Sequence, residues 1–74
     1  NGQWYNSDLI VEAERRANLE NAREGPGGKL IHIFDMGRPI GRVYMPDGSV
    51  ISDVTRVKVI RNPNGTLDTS FPIN

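Results

Sequence analysis

The sequence predicts an α+β fold, with an N-terminal helix packed on a four- to five-stranded antiparallel sheet. Three observations carry this. Residues 8–24 contain no Gly or Pro, a Gly-Pro-Gly-Gly stop occupies residues 25–28, and from residue 29 the apolar period becomes two. The 74 residues fit one small domain, 1–74. A domain of that size buries only about 60% of its unfolded surface.

Ser7 offers an N-cap for the helix over residues 8–24, and Asp8 and Glu12 lie near its positive end. Leu9, Ile10, Ala13 and Ala17 share one stripe, so thin that the helix must lie on something larger. Pro26 cannot continue the helix, and residues 25–28 form a loop. Residues 29–35 read as a strand and 36–39 as its turn. Residues 40–45 form a second strand, ended by the turn Pro46-Asp47-Gly48. Val50 and Ile51 make a short third strand, and residues 55–60 alternate strictly as a fourth. Asn62-Pro63-Asn64-Gly65 connects this to a fifth at residues 66–71, completing an antiparallel meander over 29–71.

Alternation assigns Ile31, Ile33, Val43, Met45, Val57 and Val59 to an apolar face under the helix. His32, Arg42, Tyr44, Arg56 and Lys58 then fall on the opposite, open face. Composition narrows the chemistry those residues could do. Nine Lys and Arg balance nine Asp and Glu, which excludes a polybasic arm or acidic tail as the whole story. The balance is uneven along the chain, acidic through residue 24 and basic over 25–61. Without cysteine there is neither a disulfide nor a thiolate metal site, and one histidine without a carboxylate cluster predicts no metal or cofactor. The longest apolar runs are too short to span a membrane. The glycines before Lys29 precede a strand, so they are no Walker-type phosphate cradle, and Asp47 is turn chemistry. The abrupt ends suggest a module cut from something longer.

His32 is the residue on which a catalytic reading turns. The ordinary fate of a histidine in an apolar strand is a satisfied, partly buried residue. Beside Arg42, Arg56 and Lys58, however, an imidazole could move protons while the cations bind a phosphate. Without metal ligands, the reaction that fits is RNA cleavage by the substrate's own 2′-hydroxyl. Lys29, Thr55, Arg56 and Lys58 are the candidates for holding substrate, and Tyr44 or Trp4 for stacking on a base. Each has an ordinary structural alternative: strand formation, edge protection or core packing.

The strand Arg56-Val57-Lys58-Val59-Ile60, the turn Asn62-Pro63-Asn64-Gly65 and the closing Thr69-Ser70-Phe71-Pro72-Ile73 resemble the catalytic ends of bacterial toxin ribonucleases of the barnase/EndoU/colicin/RelE-like superfamily. The resemblance spans roughly residues 8–73 through short motifs. It implies that His32 is the acid/base, Arg42 the phosphate-binding arginine and Thr69 or Ser70 the closing-strand hydroxyl. It further implies a tRNA or other RNA substrate, a cognate immunity protein, delivery as the C-terminal part of a secreted or cell-surface effector, and action in the target-cell cytoplasm. Asp68 departs from the family's apolar residue there, and the charge is less basic than in such toxins. The competing reading is a non-catalytic module that binds nucleic acid or protein. The first requires His32, Arg42 and Thr69 or Ser70 to converge in one cleft on the open face; in the second they lie apart.

Overall fold

The computed structural model describes residues 1–74 and bears out the α+β class, with one helix packed against antiparallel strands. In chain order come β1 (Gly2–Trp4), α1 (Ser7–Ala17), β2 (Arg23–Glu24), a 3-10 turn (Pro26–Gly28), β3 (Leu30–Asp35), β4 (Gly41–Tyr44), β5 (Val50–Val54), β6 (Arg56–Arg61) and β7 (Leu67–Ile73). No helix is long and apolar enough to cross a membrane.

The helix starts one residue earlier than its sequence signal and stops at Ala17 instead of residue 24. Asn6, not Ser7, is the N-cap; its side-chain oxygen accepts from the Leu9 N–H at 3.2 Å. The buried stripe of Leu9, Ala13 and Ala17 then runs out, because Glu20 and Asn21 occupy the next positions on that face. Leu19, 86% exposed, has nothing to pack on. Arg61 closes the end from the sheet, donating to the Glu14 carbonyl at 3.3 Å and to Asn18 Oδ1 at 2.6 Å. The chain beyond is thereby freed to return as β2.

The expected single meander divides into two sheets, with strand orders β1-β4-β5 and β2-β3-β6-β7. β3 does not form a hairpin with β4 but pairs with β6, and β4 pairs with β1 and β5. The cause lies in the connection between them. Met36 and Ile40 are buried, and the chain is anchored through Met36 N–H to Thr55 O (2.8 Å) and Ile40 N–H to Val54 O (2.9 Å). Burying two large apolar side chains outweighs a tight surface turn. The sheets meet where β1 crosses β7. A Cβ on Gly41 would overlap the Gln3 carbonyl and approach Pro72 Cγ at 2.8 Å, so only glycine permits the approach.

One core joins the layers: Leu9, Ala13 and Ala17 of α1, Phe34 of β3, Val57 and Val59 of β6, and Met36, Ile40 and Val54 between the sheets. Ile40 is fully buried. Ile40→Ala is expected to cost about 2–5 kcal/mol, read as a lower denaturant midpoint at unchanged slope.

Asp35, at the end of β3, accepts from the Gly37 N–H (2.7 Å) and the Thr55 hydroxyl (3.0 Å). These bonds, the Gly37 one first, hold its carboxyl below the usual aspartate range. A depressed folded-state pKa gives stability that is present above the unfolded value and lost as pH falls through the folded one. Acid titration of the unfolding midpoint should therefore show a loss below about pH 4, and Asp35→Asn should flatten it.

Candidate functional site

Directly paired strand residues share a face, so the registers decide which side chains can meet. In β3–β6, His32 lies opposite Val59 and Phe34 opposite Val57, whereas Ile33 lies opposite Lys58 and Asp35 opposite Arg56. His32 is therefore on the helix side with the core valines, and the expected facing of β3 is inverted. Leu30, Ile31, Ile33 and Phe34 are apolar on both parities, and the buried member is Phe34. Its large ring carries His32 inward with it. The imidazole is 6% exposed, and neither ring nitrogen has a hydrogen-bond partner.

Arg56 and Lys58 occupy the other face of the same sheet. There the cross-strand rows read Arg23–Ile31–Ile60–Thr69, Ile33–Lys58–Phe71 and Asp35–Arg56–Ile73. Thr69 belongs to this outer face. Ser70, opposite Val59, turns to the helix side and donates to Glu14 Oε2 at 3.4 Å. The two hydroxyls thus diverge, and only Thr69 shares a face with Arg56 and Lys58.

Arg42 lies in the other sheet, at a bulge where Gly41 pairs with Val54 and Val43 with Ile51. Its guanidinium stands 5.1 Å from the Tyr5 ring centre, and its buried Nε has no partner. The Tyr44 and then the Tyr5 hydroxyls beside it push its pKa further up, so it is a fixed cation. Tyr44 is exposed on this sheet and donates to Gln3 Oε1 at 3.1 Å. Tyr5 donates to Asp53 Oδ1 at 2.6 Å and accepts from the Asp53 N–H at 2.9 Å. Asp53 is the one non-glycine residue at positive φ, 57°. Its left-handed backbone lies at the β5 bulge opposite Arg42, and its bonds to Tyr5 fix the ring on which Arg42 rests.

Two further candidates are engaged by side chains of the chain itself. Lys29 Nζ is held by Asn62 Oδ1 at 2.6 Å and Asp68 Oδ2 at 2.8 Å, tying the start of β3 to the β6–β7 connection. Thr55 is spent on Asp35. The expected convergence of His32, Arg42 and a Thr69 or Ser70 hydroxyl is thus replaced by three separate surroundings: the core, the outer face of the four-stranded sheet, and the Tyr5–Arg42–Tyr44 group. Tyr5, Asp53, Glu14 and Arg61 were not read as site residues. Only the tolerance of aspartate for left-handed backbone could have pointed to one of them. No group of three or more His, Asp or Glu side chains could hold a metal ion. No family model, curated protein or solved structure matches the chain.

A buried imidazole with both nitrogens unpartnered costs stability rather than supplying it. His32→Leu should leave the unfolding midpoint unchanged or raise it, as read by chemical denaturation. At Asp53, Gly relieves the positive φ while Ala keeps the strain; both lose the bond from the Tyr5 hydroxyl to the carboxylate and keep the backbone N–H bond to that hydroxyl. Asp53→Ala should thus be the less stable variant by about 1 kcal/mol.

Proposed function

We propose that the chain is a non-catalytic interaction module that binds a protein partner through the outer face of its four-stranded sheet, with His32 serving the core. The observation that carries this reading is the opposite facing of His32 and the Arg56–Lys58 pair. Cleavage by a 2′-hydroxyl needs a proton acceptor within about 3 Å of it, next to the cations that hold the phosphate. An imidazole under the helix and cations on the far side of the sheet do not meet that need. The outer face, in contrast, combines Ile31, Ile33, Ile60, Phe71 and Ile73 with unpaired cations, a composition suited to docking.

One observation favours a second reading. Thr69, Lys58, Arg56 and Arg23 share the outer face with Asp35, so a ribonuclease there would use that carboxylate, not a histidine, to take the 2′-hydroxyl proton. In that reading the chain is the toxin module of a larger delivered effector, tRNA is the substrate, and an immunity protein covers this face.

Incubation with total tRNA in EDTA, followed by analysis of RNA ends, separates the two. The module reading expects no 2′,3′-cyclic phosphate above the no-protein control. Cleavage abolished by Thr69→Ala or Lys58→Ala but retained in His32→Leu would establish the second reading. Cleavage lost in a folded His32→Leu protein would return His32 to catalysis and overturn the assignment made here.

A further inference from the structure

The four-stranded sheet carries apolar side chains on both faces, yet α1 covers only one. On the covered side lie Phe34, Val57 and Val59; on the other, Ile31, Ile33, Ile60 and Phe71 remain partly exposed. An antiparallel sheet can leave one face to water, but a face this rich in apolar side chains can seat a further layer. We infer that this layer is an amphipathic helix of a partner protein, with an apolar stripe flanked by Asp or Glu. The inference rests on the interaction-module reading and names the partner for it.

Charge selects the flank. Lys58 sits between Ile33 and Phe71 in the central row, and Arg56 and Arg23 lie in the rows on either side. None of the three takes part in an ion pair. The face's one carboxylate in these rows, Asp35, bonds Gly37 and Thr55 and stands opposite Arg56, whose charge it partly offsets, while the rows of Lys58 and Arg23 hold no carboxylate. Carboxylates along a partner's stripe would neutralise these cations, steer the encounter and fix its orientation. A second copy of this chain would set the cationic rows against each other.

Shape selects a helix. Strands about 4.8 Å apart make the sheet roughly 15 Å wide, enough to seat a helix about 10 Å across, as α1 is seated on the other side. Phe71 and Ile73 also line a groove of about 560 Å³ that continues to Val43 and Met45 of the other sheet. The apolar track therefore extends past the four strands. RNA fits less well, because Phe71 is the only aromatic ring among these rows and branched isoleucines give bases no flat surface to stack on.

The test titrates the isotope-labelled chain with a synthetic helical peptide of about 18 residues. The peptide bears a leucine stripe flanked by Glu, and a Lys-flanked counterpart and oligouridylate are run in parallel. The Glu peptide is expected to shift the amides of β3, β6 and β7 and leave those of α1 in place. Arg56→Glu/Lys58→Glu should weaken it at least about tenfold and gain affinity for the Lys peptide. Ile33→Lys should weaken both peptides, and unchanged core methyl signals show that each variant is folded. The proposal is overturned if the Glu peptide leaves the sheet amides unmoved, binds the charge-reversed variant equally well, or shifts α1 instead. It is overturned also if oligouridylate alone moves the outer face. Failure here with uncleaved tRNA removes only the helical partner, whereas tRNA cleavage removes the module reading itself.

Discussion

The β3–β6 register fixes which side of the molecule is core and which is available. Pairing Phe34 with Val57 and His32 with Val59 aligns the inward residues of two strands beneath Leu9, Ala13 and Ala17. A slip of one residue would exchange the faces of β3 while leaving those of β6 unchanged. His32 would then stand among the cations, and Ile31 and Ile33 would enter the core. The buried ring of Phe34 opposes that exchange, since returning it to water forfeits the burial of a large apolar surface. Lys29 supports the same register from the end of the strand, through its contacts with Asn62 and Asp68.

This constraint separates the imidazole from the cations. The His32 ring is buried, and neither of its nitrogens bonds to another group of the chain. The cations that look catalytic beside it in the sequence are left free on the other side, among isoleucines. The second sheet, meanwhile, spends its polar residues on one another: Tyr5 on Asp53, Tyr44 on Gln3, and Arg42 over the Tyr5 ring. Arg42 thereby fastens the strand at its bulge and does not extend the cationic rows.

Much of the fold was legible because it follows from local pattern. The helix, the turn at Asp47 and the inward facing of Val57 and Val59 follow from capping, turn chemistry and strict alternation. The two-sheet division was not, because it depends on Met36 and Ile40, whose Gly- and Pro-containing neighbours read as a surface turn. The early end of α1 was hidden because Leu19, Glu20 and Ala22 are all compatible with helix; what ended it was the lack of an apolar surface to cover. The expected convergence of the candidate site turned on one ambiguous step. In a strand apolar on both parities, periodicity cannot choose a face, and the choice depends on which side chain the opposing layer can enclose. Thr69 and Ser70 were ambiguous for a related reason, and the β6–β7 register resolves them to opposite faces.

The most direct measurement of this account is side-chain accessibility in solution, read as signal broadening by a soluble paramagnetic agent. The account predicts strong broadening at the methyls of Ile31, Ile33 and Ile60 and at the Phe71 ring, with the His32 ring and the Val57 and Val59 methyls protected. A broadened His32 ring beside protected Ile31 and Ile33 methyls would contradict it and restore the imidazole to the cationic face.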